Sequence, residues 1–175
     1  AQRKEIGAVG VKLLYPNKKI QHAGVILGIK GGNINRGVAG HIQKMFKDIP
    51  MKSPVLNSKD IIRNFSAVTA ACLMISKEKY LEVNGLDEKF RIAFNDVDFN
   101  LKLRQKGYFN LYTPYAKLFH YESISVGTPQ EGNRNIKEFQ NEINMMIKKW
   151  DNLLENDPFY NKNLDLKHEN FNIKI

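Results

Sequence analysis

The chain has 175 residues, 42% of them hydrophobic and 10% aromatic, enough to bury one core, and its 27 Lys and Arg against 18 Asp and Glu give a formal charge of +9. No apolar run approaches the roughly 20 residues of a membrane span, and no basic-then-apolar leader is present, so a soluble protein is expected. Something anionic is a natural partner, although the spread of the lysines, with no run of five, fits a plain solvated basic surface; a phosphate-bearing substrate, an anionic membrane face and nucleic acid are all open on charge alone, and since no zinc-finger spacing or aromatic RNA-binding pattern singles out nucleic acid, none is expected.

In chain order, Ala8 to Tyr15 reads as a mostly apolar strand turned by Pro16-Asn17, and a second extended segment covers about Ile20 to Leu27. From Gly28 to Asn64 come five glycines, Pro50 and Pro54 with little periodicity, the mark of a long irregular loop or lid. Ser66 to Ile75 is continuously apolar, as in a strand buried on both faces. Its single Cys72 has no intrachain partner and reads as buried filler in a reducing cytosol.

Ser76 can cap a short helix that runs to about Val83 and is ended by Asn84-Gly85. Phe94-Asn95-Asp96-Val97-Asp98-Phe99 then opens a helix in which Val97, Leu101 and Arg104 recur at helical spacing, and Gly107 closes it. Tyr108 to Thr113 and Ala116 to Tyr121 read as two short strands around Pro114. Ile136, Phe139, Ile143, Met146, Ile147, Trp150 and Leu153 mark one face of a long amphipathic helix from about Asn135 to Glu155, expected to pack on the domain's own core. The polar stretch 157–175 reads as an irregular tail. The expected class is mixed α/β, with residues 1–134 as one domain, the 28–64 loop within it, and 135–175 as helix and tail.

Asp96 carries the chemistry. At a helix N-terminus a carboxylate caps free amides, but with Asn95 and Asp98 beside it acid/base work is equally open. Asp98 is two residues on and points away from Asp96 once both are helical. The glycines at 31, 32, 37 and 40 fit neither phosphate-cradle motif, and nothing resembles a Ser/His/Asp set. His41 and His168 default to solvent. His22, at a strand end, fits a hydrogen bond or a pocket role equally. His120 ends an alternating strand beside Glu122, where it satisfies the strand end or, with ligands from elsewhere, helps to hold a metal.

The ordered blocks Gly7 to Pro16, Ile20 to Val25, Ala67 to Met74, Val83 to Phe90, Asn95 to Phe99, Lys106 to Tyr108, Tyr112 to Ala116 and His120 to Ser123, with Asp157-Pro158-Phe159-Tyr160-Asn161, resemble the C-terminal half of family 2 glycosyltransferases, nearest the rhamnosyltransferase-like and O-antigen type. The resemblance implies the acceptor-side half of a GT-A fold, whose nucleotide-binding half and Asp-x-Asp metal motif precede the Val9 strand. Asp96-Val97-Asp98 has that spelling but matches the family's later acidic motif.

Carried over, the resemblance implies that Asp96 is the general base of an inverting transfer. Thr69, Ala70 and Ala71 would line the acceptor side with Asp98 and His22, and His120 would contribute a metal or diphosphate contact. A divalent cation, Mn or Mg, is implied for the full-length parent, with none held tightly by these residues alone. The implied partners are a nucleotide-sugar donor, a saccharide or lipid-linked acceptor, the missing N-terminal half and, peripherally, the cytoplasmic face of the membrane, in surface polysaccharide biosynthesis. The isolated chain is expected to be inactive. A noncatalytic saccharide-binding or assembly module docking through the Trp150 face is the alternative.

Overall fold

The computed structural model describes residues 1–29, 37–42, 59–121, 136–166 and 173–174. Its centre is β1 (Ile6–Leu14), in a mixed five-stranded sheet with β2 (Ile20–His22), β5 (Arg63–Phe65), β6 (Leu73–Met74) and β7 (Phe109–Phe119). β7 runs parallel to β1 along its whole length, from Ile6↔Phe109 to Leu14↔Phe119. β6 and β2 pair antiparallel with β1 at Val9–Gly10 and Leu13–Leu14 in turn, so both lie on its other edge. β5 pairs antiparallel with β7. A separate two-stranded hairpin joins β3 (Val25–Leu27) to β4 (Ala39–His41).

Among the described residues there are three α-helices: α1 (Lys77–Glu82), α2 (Asn95–Gln105) and α3 (Ile136–Glu155). The local signals that predict them act as expected. The Ser76 hydroxyl accepts from the Lys79 amide at α1, and α2 ends in a left-handed Gly107, whose amide donates to Arg104 O while Tyr108 donates to Leu103 O.

α2 is buried on two sides. Phe99 and Leu103 join a cluster with Ala8, Phe65 and Tyr112, while Val97 and Leu101 join a second with Ile143, Met146 and Trp150. Ile143, Met146, Trp150 and Leu154 of α3 are thus buried against the rest of the chain, with Trp150 only 3% exposed, while Ile136 at the start of the helix is 83% exposed. No helix among the described residues is long and apolar enough to cross a membrane.

Four readings of the sequence change. The extended segment from Ile20 breaks at Ala23-Gly24, where Gly24 takes φ +122° and the chain leaves the large sheet for the hairpin. Ser66 to Ile75 is not one strand: Thr69 caps a 3-10 turn at Ala70–Cys72, leaving Ala70 and Ala71 exposed and Cys72 only half-buried. The two strands expected around Pro114 are one, because the pairing with β1 jumps from Val11↔Thr113 to Lys12↔Lys117 and the extra residues absorb the proline's missing donor. Of the 28–64 loop, Ala39–His41 is strand and Arg63–Asn64 begins β5; residues 30–36 and 43–58 lie outside the described residues.

The tail is anchored by Asp157, which is 9% exposed and accepts from the Leu27 amide, the Ser66 hydroxyl and the Phe159 amide at 2.7–2.8 Å. Next to it Gly28, at φ +74°, meets α3 so closely that an added Cβ would stand 2.2 Å from Leu154 O. Gly28→Ala therefore combines left-handed strain with a backbone clash. A loss of about 2–4 kcal/mol is expected, read as a melting temperature roughly 5–15 °C lower.

Candidate active site

The carboxyl ends of the parallel pair β1 and β7 gather the candidate residues, the end at which open α/β sheets usually bind ligands. α2 runs back from there towards the start of β7, so its N-terminus and Asp96 stand at this end. Phe94, at φ 63° and ψ 1°, turns the chain into the helix without a side-chain cap, and Asp96 follows as the second helical residue. Its Oδ1 accepts from the Val97 amide at 2.8 Å and its Oδ2 from the Ala70 amide at 3.1 Å. One carboxylate thus joins the helix start to the 3-10 turn, bringing Asp96 beside Thr69, Ala70 and Ala71. Thr69 Oγ1 in turn accepts from the Ala71 amide at 3.3 Å.

Two buried amides hold this junction. Asn100 Nδ2 donates to Asp96 O at 2.7 Å and Val68 O at 2.9 Å, while its Oδ1 accepts from the Val68 amide. Asn110 Nδ2 donates to Ser66 O and Asn100 O at 2.9 and 3.0 Å. Neither amide has any exposure. Together they pin the 66–70 segment to α2 and β7, so the carboxylate and the turn keep their relative position without help from a ligand. From the other side Glu142 of α3, 1% exposed, accepts from the amides of Arg91, Ile92 and Ala93 at 2.7, 2.9 and 2.7 Å and fixes the loop leading into Phe94.

A recess of about 180 Å³ opens between this junction and the β3–β4 hairpin. Ala93, Phe94, Asp96 and Val97 form one wall; Val25, Ala39, Gly40 and His41 form the other. His41, expected in solvent, is half-buried there, with its Nδ1 2.9 Å from Nδ1 of His22.

His22 and Asp98 occupy different surroundings from those expected of acceptor contacts. The His22 ring is wholly buried, so any effect on the recess passes through His41. Asp98 is also wholly buried and faces α3, where its Oδ1 accepts from Trp150 Nε1 at 2.8 Å and Lys149 Nζ at 2.7 Å. Its Oδ2 has Lys102 Nζ at 3.9 Å, too far for a hydrogen bond. Asp98 therefore ties two helices together, and the two-residue offset from Asp96 is the reason.

His120, at the end of β7, donates through Nδ1 to Gln21 Oε1 at 2.8 Å. That bond fixes a strand end, and among the described residues no three His, Cys, Asp or Glu stand together to hold a metal ion.

Burial, reinforced by the charge of His41, holds His22 well below the ordinary histidine value of 6.5. The unfolded chain takes up this proton near 6.5 and the folded chain does not until lower pH. The stability that His22 contributes is therefore present above 6.5 and is lost as pH falls below it, at no more than about 1.4 kcal/mol per pH unit for one proton. Thermal unfolding between about pH 7.5 and 5 should show this slope, and His22→Gln should flatten it.

No protein-family model matches the chain, and no solved structure does. Among curated proteins it is 41% identical over 175 residues to the uncharacterized protein y4gI of Sinorhizobium fredii, covering 98% of this chain and 18% of that protein. It is 37% identical over 125 residues to the O-antigen biosynthesis protein RfbC of Myxococcus xanthus, covering 71% of this chain and 9% of that protein. It is 28% identical over 60 residues to the N-acetylglucosaminyl-diphospho-decaprenol L-rhamnosyltransferase of Mycobacterium tuberculosis, covering 34% of this chain and 20% of that protein. The matched segments cover a fifth or less of the length of each of these relatives, of which one is named for O-antigen biosynthesis and one for the transfer of L-rhamnose.

Proposed function

We propose that this chain is the acceptor-side part of an inverting glycosyltransferase of GT-A type in surface polysaccharide biosynthesis, with Asp96 as its general base. The observation that carries the reading is the placement of Asp96: a carboxylate at a helix N-terminus, clamped to the 69–71 turn, on the wall of a recess at the carboxyl ends of β1 and β7. The names of RfbC and of the rhamnosyltransferase supply the reaction class.

Each Asp96 oxygen accepts one backbone hydrogen bond and keeps a second lone pair. In the reaction Asp96 takes the proton of an acceptor hydroxyl as that oxygen bonds to the anomeric carbon of the donor sugar. The bond from that carbon to the nucleotide diphosphate breaks with inversion, and the diphosphate leaves with the electron pair. The exposed methyl groups of Ala70 and Ala71 would bound the acceptor. Nucleotide binding, and the cation that would balance the leaving diphosphate, are assigned to sequence beyond these residues, consistent with relatives of which the matched segments cover a fifth or less. The acceptor is a saccharide or a lipid diphosphate-linked saccharide at the cytoplasmic membrane face, where a chain of charge +9 meets anionic groups.

Sugar transfer by the full-length protein, assayed with nucleotide-sugar donors and an N-acetylglucosaminyl diphospholipid acceptor, tests the reading when wild type is compared with Asp96→Asn. Equal transfer by the two proteins would overturn it.

A further inference from the structure

β7 leaves the core at Tyr115. Asn110, Tyr112 and Pro114 are buried, but every residue from Tyr115 to Phe119 is exposed, with Tyr115 at 80%, Leu118 at 48% and Phe119 at 53%, and Tyr121 follows at 59%. A mostly apolar run laid open in this way marks an interaction surface rather than a solvated strand end. Its surroundings extend it. Phe119 pairs with Leu14 and the His120 amide donates to Leu14 O, so the exposed Pro16-Asn17-Lys18-Lys19 turn lies at the same end of the sheet. β5 runs antiparallel to β7 from Arg63↔Tyr112, so Ile61 and Ile62, which precede Arg63 and are 52% and 49% exposed, stand towards that end too.

The fixed charges here are almost all of one sign. Segments 12–20, 59–62 and 115–121 hold Lys12, Lys18, Lys19, Lys59 and Lys117 against one carboxylate, Asp60. Asp60 accepts from Lys12 Nζ at 2.5 Å and from Lys59 Nζ at 2.8 Å, so its charge is already answered, and the exposed Lys18, Lys19 and Lys117 leave the surface positive. We propose that this end of the sheet docks on an anionic lipid bilayer, with Tyr115, Leu118, Phe119 and Tyr121 entering the interface and Lys18, Lys19 and Lys117 meeting the headgroups. The lysines decide between lipid and protein as the partner. Protein interfaces are depleted in lysine, whereas at a bilayer aromatic rings settle at headgroup level while ammonium groups stay in water beside phosphate. The proposal rests on the reading of the acceptor as lipid-linked and deepens it. The recess lies at the carboxyl ends of β1 and β7, so docking by this end brings Asp96 to the level at which a lipid-linked saccharide is presented.

Flotation of the full-length protein with lipid vesicles tests this. Vesicles of phosphatidylcholine with phosphatidylglycerol should bind it more tightly than phosphatidylcholine alone, by a margin that shrinks as salt is added. Lys18→Gln, Lys19→Gln and Lys117→Gln combined should weaken binding to the anionic vesicles about 100-fold, each near-surface cation giving several-fold. Tyr115→Ser with Phe119→Ser should weaken it about tenfold or more; should that variant not fold, the lysine variant decides. Phe119→Trp adds a local reporter, whose emission relative to wild type should move to the blue on anionic vesicles and be quenched by brominated lipid. No binding to anionic vesicles, or undiminished binding by the lysine variant, would overturn the proposal. So would a reporter that brominated lipid leaves unquenched, the result expected if another part of the full-length protein or a second copy covers β7. No sugar transfer is measured, so failure here is separate from failure of Asp96 as the base, which equal transfer by wild type and Asp96→Asn would show.

Discussion

Asp96→Asn in the full-length protein is expected to lower the single-turnover rate of sugar transfer by about 10²- to 10⁴-fold, the usual worth of a positioned base. Its effect on folding should be far smaller. An amide is isosteric with the carboxylate and keeps one acceptor oxygen, but Asp96 accepts two backbone amides through different oxygens, from Val97 and from Ala70. One of these donors would face an NH₂ group, a loss of about 1 kcal/mol at this half-exposed site and a melting temperature about 2–4 °C lower. The two effects separate because Asn100 and Asn110 hold the 66–70 segment through Val68 O and Ser66 O, independently of the carboxylate. A variant that turns over at a third of the wild-type rate, with chemistry limiting, would remove Asp96 from the base role and leave it as the clamp between α2 and the turn.

What the sequence made legible was whatever local rules determine. Ser76 as a cap, Gly107 as a left-handed terminator, and the apolar stripe from Phe139 to Trp150 each act within a few residues, and all three appear where those rules put them. The misreadings have long-range causes. Ser66 to Ile75 has the composition of a strand, yet its middle is bent into a 3-10 turn whose first amide is claimed by Asp96, 26 residues away. His41 seemed solvated because its partner, His22, is 19 residues back across a hairpin that the glycines disguised.

Asp98 carried a usable signal in its offset from Asp96, which sends it to Lys149 and Trp150. Glu142 carried another and was missed. It lies three residues after Phe139 and four before Met146, a carboxylate on the apolar face of a helix, where the interior must supply donors. Nothing local identifies those donors, because they are the backbone amides of a loop about fifty residues earlier.

That loop gives Glu142 a share in the site's rigidity beside Asn100 and Asn110. Replacing it with Ala removes three charge-assisted hydrogen bonds and leaves the amides of Arg91, Ile92 and Ala93 without their acceptors beside a new cavity. Retaining the carboxylate costs desolvation, which offsets part of the gross gain, so the net loss is expected at about 3–5 kcal/mol and the melting temperature at about 10 °C or more below wild type. Glu142→Gln should fall between the two, since one oxygen remains while its NH₂ confronts a backbone donor. Activity should fall as well, even far below the melting temperature, because Ala93 and Phe94 line the recess and set the left-handed entry to Asp96. For Glu142→Gln, thermal unfolding and single-turnover transfer measured together distinguish the possibilities. A lowered melting temperature with unchanged transfer would make Glu142 a purely structural tie, whereas a rate loss beyond the unfolded fraction would place it in the apparatus that positions the base.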